Sequence, residues 1–176
     1  MELKVTKTEL KEIRALRALF LHECNFQFTY DKCHLYGWAD TYVFRVDGNK
    51  AGYGSVWGKN KREHRDSIFE FYIVEPYRKQ AEIFFAKFHA LSGASYIECQ
   101  SNDILLPSFL YEHSQSINAE AILFEDRVQT QFVMPAVVLE HIPGDETISN
   151  YDHACVLKQH GEIVGNGGLM LNYNFP

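Results

Sequence analysis

The stretch Ser67–Gly93 constrains the fold of this chain more than any other. From Ile68 to Val74 its residues are apolar or aromatic at every position except Glu70, which is the composition of a strand buried on both faces. Pro76 ends this strand. Apolar residues then recur with helical spacing at Ala81, Phe84, Phe85 and Phe88. The stretch therefore predicts a buried strand that turns directly into an amphipathic helix, which Gly93 ends.

The first turn of that helix is a candidate anion site. Its backbone N–H groups lack partners within the helix and lie at the positive end of the helix dipole, so together they can bind a phosphate group. The residues of the turn, from Val74 to Ile83, decide whether they do.

Composition excludes several classes of protein. A chain of 176 residues with 46% hydrophobic residues is long enough for one globular domain, or for one domain and part of another. A formal net charge of -6 argues against a nucleic-acid partner. The basic stretch 59–65 lies between two predicted strands and is interpreted as a solvated loop.

The cysteines and the apolar runs indicate a cytoplasmic protein that does not bind a membrane. No apolar run approaches the ~20 residues that a membrane span needs. The four cysteines contain no CxxC pair, which fits a reducing compartment. Four residues have side chains of the kind that bind zinc, namely His22, Cys24, Cys33 and His34. Their spacing matches no zinc site, so no metal is predicted.

The remaining pattern alternates between helices and strands. Thr6 and Glu9 have capping-box spacing before a helix that runs to about Asn25. Asp47-Gly48-Asn49 predicts a tight turn between two antiparallel strands. Residues 94–100 then read as a strand, 103–113 as a helix and 119–132 as an edge strand or hairpin, and a further apolar run ends near residue 142.

The sequence contains an internal repeat. GxxxGxG occurs at Gly48, Gly52 and Gly54 and again 113 residues later at Gly161, Gly165 and Gly167, each time between strand-like flanks. We therefore predict a domain over 1–142, a linker over 143–150, and a β-hairpin over 151–176 that begins a second repeat.

The second copy stops before the buried strand and helix that follow the first. Three interpretations remain open: the chain is a fragment of a longer protein, the hairpin completes the sheet of the first domain, or it pairs with a neighbour in a homodimer. Two strands alone are marginally stable and leave an open edge, so we expect the hairpin to dock on something.

These motifs resemble the GNAT superfamily of N-acyltransferases over about residues 2–135. The matching residues are the GNKAGYG hairpin, the VEPYR turn after the central strand, and Asn102 and Tyr111 beyond it. The repeat resembles the tandem members of the family. The resemblance implies an α+β fold in which helices flank a central mixed, mostly antiparallel sheet that is splayed where its central strand ends.

The family uses acetyl-CoA, and the resemblance implies that its pantetheine lies in the splay and its diphosphate at the turn. The implied cofactor-binding residues are Ile73, Val74, Arg78, Lys79, Gln80, Ala81, Ile83 and Asn102. The family turn reads R/Q-x-x-G-x-G/A because backbone amides must approach the diphosphate closely. Here Ile83 stands where glycine or alanine is expected, and Glu82 adds negative charge. The sequence predicts an impaired cofactor loop.

Acyl transfer requires a neutral amine and a proton for the leaving thiolate. Glu70 is the candidate base, because burial in an apolar strand would raise its pKa; the alternative is a carboxylate that pairs with an arginine or faces solvent. Tyr111 resembles the family's proton donor, with a packed tyrosine as the alternative.

Two functions follow. The first is acetyl-CoA-dependent N-acetylation of a small-molecule or peptide amine, which an aromatic cleft including Tyr30, Tyr36 and Trp38 would accept. The second is a non-catalytic GNAT-fold module for substrate binding, dimerisation or regulation.

Overall fold

The computed structural model divides the chain into two compact units, Met1–Glu125 and Asp126–Pro176. The residues that it describes are 1–26, 28–119, 134–142 and 153–169. The predicted strand or hairpin at 119–132 (apart from its first residue) and the predicted linker at 143–150 lie outside these ranges. No helix in the described ranges is long and apolar enough to cross a membrane.

The first unit is built on a five-stranded sheet in which the spatial order of the strands follows the chain. Its strands are β1 (Leu3–Thr8), β2 (Ala39–Val46), β3 (Asn49–Trp57), β4 (Ser67–Ile73) and β5 (Tyr96–Ile97). All neighbours are antiparallel except β4 and β5, which are parallel. The predicted α+β fold with a mixed, mostly antiparallel sheet is confirmed.

Helices cover both faces of this sheet. They are α1 (Leu10–Cys24), α2 (Asp31–Leu35), α3 (Ala81–Ser92) and α4 (Leu106–His113), with a 3-10 helix at Glu75–Gln80. The apolar stripe of α1, which includes Ile13 and Phe20, packs with Val43, Tyr53 and Tyr72. The apolar residues of α3 and α4 pack on the opposite face around Phe44 and Phe71.

The predicted strand and helix after Ser67 are both present. Every residue of β4 is buried, as a strand between two helical layers requires. The four apolar positions of α3 are buried as well, and the helix ends at Gly93, which has a φ of 66°. This continuous apolar segment is the centre of the first unit.

The pairing of β4 with β5 is short. Only Ser67 and Ile68 have partners on β5, and one further bond runs from Glu98 N–H to the Ile68 carbonyl. Beyond this point the two strands separate, so Phe69–Ile73 has no strand partner on its β5 side among the described residues. The expected splay is therefore present.

The second unit contains a three-stranded antiparallel sheet in the order β6-β7-β8. Its strands are β6 (Val137–Ile142), β7 (His153–Gln159) and β8 (Glu162–Leu169). The sequence-based boundary at 142 placed β6 in the first domain, whereas β6 pairs with β7 along its whole length. An apolar strand can be recognised from its composition, but its partner cannot.

The second sheet repeats β1-β2-β3 in register. Phe44 pairs with Gly52 and Leu157 with Gly165, and a register shift follows Phe44 and Leu157 alike. Asp47 and Gly48 turn the first hairpin at φ 48° and 84°, and His160 and Gly161 turn the second at 52° and 85°. Both turns have the two successive positive φ angles of a type I′ turn.

The outer strand is repeated too. Leu3 of β1 lies opposite Val46, and Val137 of β6 lies opposite Gln159, which is Val46 plus 113. Between β1 and β2 the chain has 30 residues (38 - 8), while between β6 and β7 it has 10 (152 - 142). Ten residues are too few for counterparts of both α1, which has 15, and α2, which has 5.

Equivalent glycines in the two sheets should respond differently to substitution. A Cβ on Gly54 would lie 2.5 Å from Phe88 Cε1, whereas one on Gly167 would meet no described atom within 4 Å. We expect Gly54→Ala to lower the free energy of unfolding by about 2 kcal/mol through overpacking, and Gly167→Ala to change it little. Thermal melts followed by circular dichroism provide the measurement. Equal losses in the two variants would show that the sheets are covered alike.

Candidate active site

The centre of the candidate site is Glu70, in the middle of β4. Its side chain is 2% exposed and accepts hydrogen bonds from three elements. Arg17 Nε of α1 lies 3.0 Å and 3.2 Å from the two carboxylate oxygens, His34 Nε2 of α2 lies 2.9 Å from Oε2, and the Tyr53 hydroxyl of β3 lies 3.1 Å from Oε2. The carboxylate is thus held on both oxygens.

Arg17 extends this network to a second carboxylate. Its Nη1 lies 2.6 Å from Asp31 Oδ1, and the Thr29 hydroxyl donates to Asp31 Oδ2 at 2.7 Å. Asp31 begins α2, so the arginine joins α1, β4 and the short helix in one ion-pair network. Such a network is stable when buried only because both charges are paired.

The network reverses the expected pKa shift of Glu70. Burial by itself raises the pKa of this carboxyl, but the hydrogen bond from His34 and the positive charge of Arg17 outweigh it and hold the pKa below its ordinary value. The prediction of a raised pKa was wrong, because the partners lie far away in the sequence. Pairing with an arginine was the alternative. The assignment of Glu70 as a base stays a prediction.

An aromatic cleft adjoins Glu70. It has room for little more than one water molecule. Its lining combines aromatic side chains with carboxylates and an amide, and includes Phe26, Tyr30, Phe69, Glu70, Gln100 and Asp103. Of the three aromatics expected in a cleft, Tyr30 is there, whereas Tyr36 and Trp38 pack on each other elsewhere, with ring centroids 5.1 Å apart.

Two polar residues of the cleft escaped the sequence analysis. Gln100 Nε2 donates to the Phe28 carbonyl at 2.6 Å, while its buried Oε1 has no hydrogen-bond partner among the described atoms. Asp103 Oδ1 accepts the N–H groups of Leu105 and Leu106 at the start of α4, and burial raises the pKa of its carboxyl. Both residues lie in a loop without a recognisable period.

Arg17 and His34 were also missed. Arg17 lies four residues after the buried Ile13 and three before the buried Phe20, so it is a charged residue on the apolar face of α1. That position was the available signal. Nothing in the sequence near His34 identifies its partner.

The predicted cofactor turn has little free backbone for an anion. Tyr77 N–H donates to the Val74 carbonyl, and Ala81 N–H donates to the Arg78 carbonyl, because a 3-10 helix runs directly into α3. Ala81 is buried, and Ile83 is 47% exposed on the first turn of α3 beside the exposed Glu82. A branched side chain and a negative charge thus lie on the exposed first turn of α3.

Other residues of the predicted cofactor set also have protein partners. Arg78 Nε donates to the Ile73 carbonyl at 3.2 Å, and its guanidinium forms an ion pair with Glu23 of α1. Val74 N–H donates to the Ala51 carbonyl at 2.9 Å, on the β3 side of β4. Lys79 is exposed, and Gln80 Oε1 is buried without a hydrogen-bond partner among the described atoms.

Asn102 and Tyr111 lie apart from this group. Asn102 Nδ2 donates to the carbonyls of Cys24 and Asn25 at 2.9 and 3.0 Å, so it caps the C-terminus of α1. Tyr111, on α4, is 76% exposed and does not line the cleft beside Glu70. The structure brings together the residues at the end of β4 but not the proposed acid and base.

Cysteine chemistry is not available at the site. Burial raises the pKa of the Cys33 thiol to about 12, so the thiol is neutral at pH 7. In the described part of the chain no three histidine, cysteine, aspartate or glutamate side chains are grouped to hold a metal ion.

Comparison with known proteins identifies the fold. No protein-family model matches the sequence, and no curated protein matches it at a significant level. The crystal structure of a ribosomal-protein-alanine N-acetyltransferase from Brucella melitensis superimposes with a TM-score of 0.51 at 12% identity, covering 71% of this chain and 99% of that one. This chain has the GNAT acetyltransferase fold.

Other acetyltransferases match less well. A predicted acetyltransferase with acetyl-CoA from Clostridium acetobutylicum has a TM-score of 0.44 at 7% identity, covering 70% of this chain and 96% of its own. An aminoglycoside acetyltransferase from a soil metagenomic sample, in complex with sisomicin, has a TM-score of 0.43 at 14% identity, covering 72% and 97%.

The Glu70 network predicts a specific response to acid. We expect Glu70→Gln to cost about 3 kcal/mol of stability near neutral pH, since it leaves the buried Arg17 with only one carboxylate. Because the pKa of Glu70 is lowered on folding, its contribution is complete above the ordinary carboxylate pKa and is lost as the pH falls through the folded value. The difference in stability between wild type and variant should therefore shrink as the pH is lowered below about 4.5.

Urea denaturation at a series of pH values measures this difference. Glu82→Gln is the matched control, since Glu82 is exposed on α3 and the same change there should leave stability nearly unaltered. A loss for Glu70→Gln that stayed constant down to strongly acidic pH would contradict the lowered pKa.

Proposed function

We propose that this chain is part of a GNAT-type N-acetyltransferase, which transfers the acetyl group of acetyl-CoA to an amine, and that its first unit is a half that does not perform the transfer. The observation that carries this proposal is the first turn of α3. There Ala81 N–H donates to the Arg78 carbonyl, and Glu82 and Ile83 add a negative charge and a branched side chain to the exposed first turn. A diphosphate needs free amides and no side-chain bulk at that place.

The proton chemistry of acetyl transfer supports the same proposal. A base must take a proton from the attacking amine, and an acid must give one to the departing thiolate of coenzyme A. Glu70 accepts hydrogen bonds from three side chains and has a lowered pKa, so it is a weak base. Tyr111 lies outside the cleft. Neither of the two predicted residues, Glu70 as base and Tyr111 as acid, therefore supports its proton transfer.

The repeated sheet supports a tandem protein. In β6-β7-β8 the register, the bulge and the positive-φ turn of β1-β2-β3 recur with one constant offset. We infer that the second sheet consists of the opening strands of a second GNAT-like repeat. The first unit then serves as a wall for the substrate or as a structural partner.

The cleft of the first unit has room for about one water molecule, so its aromatic and acidic lining would border an amine acceptor and not enclose it. Aromatic faces and buried carboxylates both favour a positively charged group. A small-molecule or peptide amine is therefore the acceptor class that we propose.

One observation favours catalysis in the first unit itself. Beyond Ile68, the β5-side edge of β4 has no strand partner among the described residues, and Arg78 and Lys79 add positive charge near its end. A bound coenzyme could complete this edge with its pantetheine. The measurement below decides between the two candidate functions.

Acetyl-CoA should not stabilise this chain. A ligand at a hundred times its Kd stabilises a protein by about 2.7 kcal/mol, which raises the Tm by several degrees. We expect no saturable shift for residues 1–176 with acetyl-CoA or coenzyme A in a thermal-shift titration. A clear and saturable rise in Tm would support the catalytic candidate instead.

A double variant tests whether the side chains of the turn prevent the binding of acetyl-CoA. Replacing Ile83 by Gly and Glu82 by Gln removes the bulk and the charge at the turn, and we expect this double variant to gain a measurable shift with acetyl-CoA. Lys87→Gln, farther along the exposed face of α3, is the control and should gain nothing. If the double variant gained no affinity either, the defect would lie outside the turn.

A further inference from the structure

The two sheets repeat each other in their strands but not in what covers them. Phe44 of β2 is 0% exposed, because Phe84 and Phe88 of α3 pack on it with ring centroids 5.3 and 5.5 Å away. Leu157 occupies the same position in β7 and is 41% exposed. The same sheet position is thus part of a core in one copy and open in the other.

Two glycines make the comparison sharper. A Cβ on Gly52 would lie 2.1 Å from the Tyr72 carbonyl oxygen of β4, so this glycine is needed for the close approach of the fourth strand. At the equivalent Gly165, the nearest described atoms belong only to Leu157, at 3.5 and 3.7 Å. The glycine is retained although no described strand approaches it.

Gly54 and Gly167 differ in the same way, in their distance from a covering helix. A Cβ on Gly54 would lie 2.5 Å from the Phe88 ring of α3, while one on Gly167 would meet no described atom within 4 Å. Gly167 therefore leaves a space that, in the first sheet, an aromatic ring of a helix occupies.

The face around these glycines is apolar. Leu139 of β6 lies directly opposite Leu157 of β7, and both are exposed together with Val164 of β8. β8 is an edge strand of the described sheet, and it carries no charged residue after Glu162. Edge strands of soluble proteins are usually protected by charge, proline or a covering segment, so an apolar and glycine-rich edge indicates a binding surface.

We propose that the edge of β8 and the face formed by Leu139, Leu157, Val164 and Gly167 bind a polypeptide segment consisting of a strand followed by an amphipathic helix with an aromatic residue. The strand adds to β8 next to Gly165, and the helix crosses the apolar face so that its aromatic ring lies over Gly167. This is the arrangement that β4 and α3 adopt on β3 in the first unit.

A second copy of this chain fits the surface less well. Pairing two β8 edges would satisfy the backbone groups of both strands. Each copy would, however, bring a sheet with the same bare face and no helix, so the space over Gly167 would stay empty.

The segment Ser67–Gly93 of this chain is a suitable probe, because it contains β4 and α3 and already fits the equivalent sheet. We would add it in trans, fused to a soluble carrier protein, to the full chain 1–176 and measure amide hydrogen exchange. The expected result is saturable binding, with exchange slowed at least about tenfold at those amides of β8 that do not donate to β7. The carrier alone should have no effect.

Two variants test the geometry. Gly167→Val fills the space for the aromatic ring; since no described atom lies nearby and its φ is not positive, the sheet should keep its fold. We expect this variant to bind the probe at least about tenfold more weakly. Ile163→Ala is the matched control on the opposite face of β8 and should bind as wild type does. A melting curve of each variant verifies that folding is intact.

Three results would overturn the proposal. The first is no change in β8 exchange at saturating probe, and the second is equal binding by wild type and Gly167→Val. The third is protection of β8 in the absence of probe together with a dimeric mass in light scattering, which would assign the surface to a second copy. Slowed exchange confined to β3 would place the probe on the first unit and would count against the proposal as well.

Discussion

The first unit depends on the burial of β4 between two helical layers. Every residue of this strand is buried, and Glu70 is its only ionisable side chain apart from Tyr72. An unpaired carboxylate at that depth would be strongly destabilising. The Glu70 carboxylate is stabilised by hydrogen bonds from three side chains on α1, α2 and β3, which are Arg17, His34 and Tyr53. The paired charge therefore joins the elements around the strand.

The same unit has the GNAT fold, and the side chains and amides around the end of β4 bond to other groups of the protein. The splay beside β4 is present, but the cleft next to it is narrowed by aromatic side chains to about the size of a water molecule. In the turn into α3, Ala81 N–H donates to the Arg78 carbonyl, and the Arg78 side chain forms an ion pair with Glu23. A fold shows how a chain is arranged, whereas function depends on the groups that remain free in the site.

The second sheet illustrates the opposite situation. Its strands hold their register without a described layer over Leu157 and Val164, because hydrogen bonds and the turn at His160-Gly161 suffice to define a hairpin. What a sheet gains from a covering helix is burial of its apolar face. In the second sheet, hydrogen bonds and the turn therefore define the strand pairing, whereas burial of the apolar face would require a covering layer.

The sequence by itself determined the local and periodic features. The run from Ile68 to Val74, the helical spacing before Gly93, the turn at Asp47-Gly48 and the 113-residue repeat are properties of neighbouring residues or of self-similarity, and each predicts its element without knowledge of the rest. Only the tertiary structure decided the roles of side chains whose partners are distant. Arg17 lies 53 residues from Glu70, so the pKa of the carboxyl could not be read from its own strand.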